Sequence, residues 1–182
     1  MAPSHRETID PDEARKRPHR EGAVLVMLYP GQSGPSTLFT VRRADLNDHA
    51  GQISFPGGRR EAGERLETTA TREAEEEVGI GRDEIEVVGE LTPLYIPPSR
   101  YIVHPFVAAA ASRPDFRLQE SEVARIIEVP LADLQDPANR RSEIWKIRDE
   151  ESRVPCFRIG GERIWGATAM IMNELLAVIS EQ

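Results

Sequence analysis

The sequence predicts an α+β fold in one domain, a mixed β-sheet with helices on its faces in an α/β/α sandwich. Three observations carry this. The 182 residues suffice for one ordinary hydrophobic core and not for two. Hydrophobic residues make up 39% of the chain, enough to fill that core. Strand-length apolar runs outnumber helical stretches, and one helical stretch sits among the strands, unlike the regular alternation of a parallel βαβ array.

The elements follow in order. Residues 1–21 are polar, charge-mixed and proline-containing, and read as a mobile arm ahead of a single domain at 22–182. Residues 22–29 (GAVLVMLY) and 37–42 are strand-like runs on either side of a Pro/Gly-rich turn, and together predict a hairpin. A short strand at 52–55 ends at Pro56-Gly57-Gly58, and after polar residues a helix is expected over 66–78, closed by Gly79. Strands are then expected at 85–94, 102–109, 123–129, 144–148 and 153–159, and a last helix at 167–179.

Composition excludes several classes of function. Acidic residues number 31 against 23 basic ones, giving a net charge of −8 and a pI near 5.1, the wrong sign for a protein that lives on a nucleic-acid backbone. The single cysteine, Cys156, supplies neither a disulfide nor a thiolate cluster for zinc, and reads as a small buried apolar residue. No apolar run approaches the roughly 18 residues that span a bilayer, and the first twenty residues lack the apolar stretch of a signal peptide. No membrane and no nucleic-acid partner is therefore expected, and a cytoplasmic location is.

The chemistry concentrates between residues 58 and 80. With helical rotation of about 100° per residue and Glu73 at zero, Glu77 falls at about 40° and Glu76 at about 300°, so three carboxylates share one face. Leu66, Ala70, Ala74 and Val78 lie beside that face on the same wheel, so the acidic residues border the stripe that packs on the core. Like charges at this spacing repel, and partial burial raises the cost. A bound divalent cation removes the penalty, whereas an ordinary acidic helix would simply face solvent.

The flanking residues decide between the two. Gly58, Glu64, Arg72, Glu73, Glu76, Glu77 and Gly79, with Ala74 and Ile80 at aliphatic positions, resemble the box of the Nudix hydrolase family. That box runs Gly, five residues, Glu, seven residues, then Arg-Glu-aliphatic-x-Glu-Glu-x-Gly-aliphatic. All its fixed positions match, a coincidence expected by chance about once in a million chains of this length. The resemblance implies hydrolysis of a nucleoside diphosphate linked to another group, a Nudix fold with the box helix packed on a mixed sheet, and magnesium or manganese as cofactor. It also implies Glu73, Glu76 and Glu77 as metal ligands with the Gly58 carbonyl (or that of Gly57) as a further one, and Arg72 paired with Glu64 in structural support of the box. Magnesium suits such a set because it takes hard oxygen ligands, keeps several waters and completes its shell with substrate phosphates.

Upstream, Leu38-Phe39-Thr40-Val41-Arg42-Arg43, then His49-Ala50-Gly51-Gln52 and Phe55-Pro56-Gly57-Gly58, resemble the extra motif of the coenzyme A pyrophosphatase branch, with Phe39, Arg43 and Asn47 departing from it. That likeness implies cleavage of coenzyme A or a derivative to 3′,5′-ADP and a 4′-phosphopantetheine product. Arg42, Arg43, His49 and Gly57 are the expected substrate contacts, and only one of the two arginines can face the site because strand neighbours alternate. A carboxylate outside the box is expected to join Glu76 and Glu77 in catalysis, Glu122 first and Glu120 second. Trp165 reads as core, His104 as structural, and 97–101 either as a loop over the pocket or as a plain connection. Other readings stay open here: another nucleotide such as ADP-ribose, NADH or a nucleoside triphosphate, or a non-catalytic binding module of the same fold. The expected partner is a small-molecule nucleoside diphosphate substrate, and the sequence leaves room for a homodimer.

Overall fold

A computed structural model describes residues 10–16, 19–45, 51–147 and 150–180. Among these, eight strands build the main sheet: β1 (Arg20–Gly31), β2 (Gly34–Arg42), β3 (Ile53–Ser54), β4 (Gly57–Arg59), β5 (Glu86–Glu90), β6 (Leu94–Ile96), β7 (Tyr101–Ala109) and β8 (Val123–Pro130). Its backbone order is β3-β2-β1-β7-β5, with β4 on β1, β6 on β7 and β8 on β2. β1 and β7 run parallel while β1 pairs antiparallel with β2 and β4, so the sheet is mixed as expected. The hairpin is tighter than the turn residues suggested, because Gly31 and Gly34 themselves pair and only two residues lie between them.

Alternation along β1 explains the layers. Ala23 and Leu25 face one side, where they meet Ala70 and Ala74 of α2 (Leu66–Val78) together with Phe106 and Ala108. Met27 and Tyr29 continue that side against Val78 and Ile80. Val26 faces the other way, into a core shared with Phe39, Leu134, Phe157, Met172 and Leu175. That second layer holds α4 (Gly166–Ser180) and a three-stranded sheet of β9 (Arg140–Ile147), β10 (Glu150–Ile159) and β11 (Glu162–Trp165), in the order β11-β10-β9.

α2 has the predicted bounds, and its end has a physical cause. Gly79 adopts φ +74°, the left-handed conformation that a side chain disfavours, and its N–H donates to the Glu75 carbonyl. Several elements exceed the sequence expectation. The presumed arm contributes α1 (Pro11–Arg15), where Ala14 is buried, and β1 starts at Arg20 rather than residue 22. The run expected at 85–94 divides into β5 and β6, both pairing with β7, and α3 (Leu131–Gln135) anchors Leu134 in the core. β4, α3 and β11 are too short to register as hydrophobic periodicity. Among the described residues no helix is long and apolar enough to cross a membrane.

Candidate active site

Strands of the main sheet, α2 and the β11–α4 junction converge on one cavity of about 590 Å³. Its floor is Ala23 and Val24 of β1 and Val103 of β7, one rim is Gly57 and Gly58 of β4 with Glu77 of α2, and another is Arg42 with Glu122. Residues from Ile96 to Tyr101 close one end, and the β11–α4 junction, Trp165 to Thr168, forms a wall.

The carboxylates of α2 occupy three environments. Glu77 is only 7% exposed, and burial, reinforced by the nearby charges of Glu73 and Glu122, pushes its pKa up to about 8 despite an N–H from Gly57 and the charge of Arg42. Glu73 is half-buried, and desolvation also raises its pKa, against the opposing pull of Arg72. Glu76 has a side chain 52% exposed, bonds Arg72 at 3.0 Å, and does not line the cavity.

Arg72 is the hub beneath them. Its guanidinium donates to Glu64 at 2.9 and 3.2 Å, to Glu73 at 2.9 Å, to Glu76 at 3.0 Å and to the Arg59 carbonyl at 3.1 Å. Glu64 also accepts from the Thr69 hydroxyl at 2.8 Å and the Glu61 N–H at 3.1 Å, and these bonds, Arg72 foremost, hold its pKa down at about 2. Thr69 and Arg60, which donates to the Glu64 carbonyl at 2.7 Å and to Glu21 at 2.6 Å, were not singled out from the sequence. A threonine five residues after Glu64 gives no sequence signal, because its burial depends on the packing of α2.

This donor set suits a divalent cation of the hard, oxygen-seeking kind. Among the described residues no three carboxylates, imidazoles or thiolates stand together at metal-ligating spacing, since Arg72 draws Glu73 and Glu76 toward itself. Magnesium needs no such closed cage, because one or two carboxylates suffice beside water and phosphate oxygens. Glu77, crowded by Glu73 and Glu122 and only partly offset by Arg42 and the Gly57 N–H, is where such a cation would relieve the most repulsion. Gly22 leaves space at the Gly58 carbonyl, as a Cβ on Gly22 would come within 2.5 Å of that oxygen.

A family model described as the NUDIX domain matches residues 18–149. The chain is also 36% identical over 168 residues to the uncharacterized Nudix hydrolase NudL of Pectobacterium atrosepticum, covering 90% of this chain and 84% of that one. The chain belongs to the Nudix family. A NudL of Photorhabdus laumondii is 35% identical over 158 residues, covering 86% and 83% of the two chains. In solved structures the same fold recurs in a C. elegans Ap4A hydrolase binary complex, with TM-score 0.59, 17% identity and coverage of 90% and 99%. It recurs also in the Nudix hydrolase RenU of M. smegmatis, with TM-score 0.55, 22% identity and coverage of 64% and 73%. The protein is thus a Nudix hydrolase, a pyrophosphohydrolase acting on small nucleoside diphosphate derivatives.

Within this Nudix site the strand arginines separate. Arg42 lines the cavity and stands 3.5 Å from Glu122. Arg43, expected as a substrate contact, points elsewhere: its guanidinium bonds Asp45 at 2.7 and 2.9 Å and the Glu120 carbonyl at 2.8 Å, as strand alternation requires of one of the pair. His49 lies outside the described residues. Gly57 lines the cavity with no room for a side chain, since a Cβ would meet the Ala23 carbonyl at 2.4 Å. Trp165 is not simply core, because it borders the cavity, while Pro98, Ser99 and Tyr101 make the 97–101 segment part of its wall. His104 is buried and bonds Glu90 at 2.6 Å, and Cys156 is buried, both in keeping with structural roles.

Proposed function

We propose that this Nudix hydrolase cleaves the phosphoanhydride bond of coenzyme A or its derivatives, releasing 3′,5′-ADP and (acyl-)4′-phosphopantetheine. One observation carries the reading: the strand order sets the cavity's cationic fork, Arg42 of β2, on one side of β1 and its apolar Ile96 and Pro98, at β6 beyond β7, on the other. Coenzyme A has matching halves, a phosphorylated nucleotide and a largely aliphatic pantetheine arm. A guanidinium suits a phosphate through its paired N–H donors. The likeness of the segment around Arg42 to the coenzyme A branch supports the same reading.

Glu77 at the cavity rim, with the Gly58 carbonyl, would hold magnesium or manganese, and Glu73 and Glu76 would join as ligands on turning from Arg72 toward the ion. When bound, the ion neutralises phosphate charge and makes a water more acidic. Hydrolysis joins the oxygen of a water to phosphorus and breaks the bridging P–O bond, and the proton of that water must go to a base. Glu122 is assigned that role over Glu76, because Glu122 lines the cavity while Glu76 is held outside it by Arg72. Arg72 and Glu64 act on the box carboxylates rather than on substrate.

The test is a panel of coenzyme A, ADP-ribose, NADH and dGTP with magnesium, resolved by chromatography of products. Coenzyme A should give the highest kcat/KM and yield 3′,5′-ADP. Preference for any other member by tenfold or more would overturn the coenzyme A assignment.

A further inference from the structure

Two aromatic side chains outside the box form a supported pair at the cavity wall, their ring planes tilted 54° to each other. Trp165 ends β11, and its ring centroid lies 4.6 Å from that of Trp145 on β9. Trp145 is fixed from two directions: its indole N–H donates to Glu143 at 3.0 Å, and the Arg163 guanidinium sits 4.4 Å above its ring. Glu143 in turn accepts from Arg158 at 2.8 Å and from Arg163 at 3.3 Å. Such bracing restrains an indole that would otherwise lose rotamer freedom on binding.

Trp165 borders the cavity and is only partly buried, with Gly166, Ala167 and Thr168 lining the same wall. Its location on the wall is also defined. β11 packs beside β3, and the Thr168 hydroxyl donates to the Ile53 carbonyl at 3.1 Å. Ile53 pairs with Val41, and the Arg42 N–H donates to the Gln52 carbonyl at 3.0 Å. Trp165 and Arg42 therefore flank the same short strand, at the end of the cavity away from Ile96.

From this juxtaposition we infer that Trp165 is the platform on which the adenine ring of the substrate stacks, with Trp145 as the positioning residue behind it. The inference rests on the coenzyme A reading and deepens it. In coenzyme A the adenine and the 3′-phosphate belong to one half of the molecule, so a base platform and a phosphate fork are required at the same end. A planar π-face matches an indole, whereas the aliphatic pantetheine arm gains more from the apolar residues at the opposite end.

The chain has 2 tryptophans, and both are in this tilted pair, so intrinsic fluorescence reports the site directly. The wild-type protein is titrated in magnesium with 3′,5′-ADP and separately with 4′-phosphopantetheine, and each is also assayed as a product inhibitor. The expected result is saturable quenching by 3′,5′-ADP and little change with 4′-phosphopantetheine. Trp165→Leu should raise the inhibition constant of 3′,5′-ADP about tenfold and that of 4′-phosphopantetheine less than twofold, while Trp165→Phe restores most of the affinity. Inhibition by 3′,5′-ADP without quenching, or equal weakening of both products in Trp165→Leu, overturns the platform. These outcomes are separate from the substrate panel, because a protein that ignores coenzyme A fails the panel, whereas one that cleaves it yet binds 3′,5′-ADP without quenching fails only here.

Discussion

The Glu73 carboxylate lies directly against Gly58: a Cβ placed on that glycine would stand 2.4 Å from Glu73 Cδ and 2.5 Å from both carboxylate oxygens. The strand β4 and the helix α2 thus meet through a contact that only a bare Cα permits, and the position of a proposed metal ligand depends on it.

Gly58→Ala should therefore push the Glu73 carboxylate aside while leaving the fold in place, because the displaced atoms are the end of a flexible side chain. Turnover at saturating substrate is expected to fall at least tenfold, with a higher magnesium concentration for half-maximal rate. A melting temperature within a few degrees of wild type, together with wild-type turnover and magnesium dependence, would remove Glu73 from the site.

Glu77→Gln should lower kcat by at least two orders of magnitude with the fold intact, as loss of a few kcal/mol of transition-state charge stabilisation requires. Its stability effect has the opposite sign. With chelator present, the folded-state pKa of about 8 lies above the unfolded value, so the protonated carboxyl favours the folded state and this contribution is lost as pH rises through about 8. Thermal unfolding of the metal-free wild type should lose stability, on the order of a few kcal/mol, between pH 5 and 9, and Glu77→Gln should flatten that slope. Parallel slopes would contradict the burial argument.

Arg72→Met removes the cation from a nearly buried cluster, with Arg72 and Glu64 side chains 16% and 11% exposed. Urea unfolding at pH 7 should register a loss of about 2–4 kcal/mol, since Glu64 keeps its burial without its partner. The low pKa of Glu64, about 2, makes its contribution present above the unfolded carboxylate value and lost as pH falls toward 2. The variant should accordingly show less acid sensitivity between pH 4.5 and 2 than the wild type; an unchanged acid transition would show that the Arg72 bonds contribute nothing to it.

Arg42→Ala should lose more activity on coenzyme A than on 3′-dephospho-coenzyme A. The side chain is 36% exposed, so water reaches the fork and the difference should be about 1–1.5 kcal/mol, roughly five- to tenfold in kcat/KM. Equal losses on the two substrates would show that Arg42 does not read the 3′-phosphate.

Much of this was legible from residue order alone, and the reason is locality. The bounds of α2, its closure at Gly79, the shared face of Glu73, Glu76 and Glu77, and the likeness to the Nudix box all depend on residues within one helix and its flanks, where 3.6-residue periodicity and a left-handed glycine are written in the chain. What the tertiary structure decided depends on pairs far apart in sequence. A helical wheel treats Glu76 and Glu77 as neighbours, yet β4 buries Glu77 and Arg72 retains Glu76 outside the cavity. Strand alternation allows one inward arginine without naming it, and the contact of Arg43 with Asp45 and the Glu120 carbonyl settles the choice as Arg42. Trp165 reads as core because a strand-end indole has no local mark of exposure. Only the packing of β11 beside β3, and of Trp145 behind it, places that ring at the cavity, through a balance of burial that no window of sequence contains.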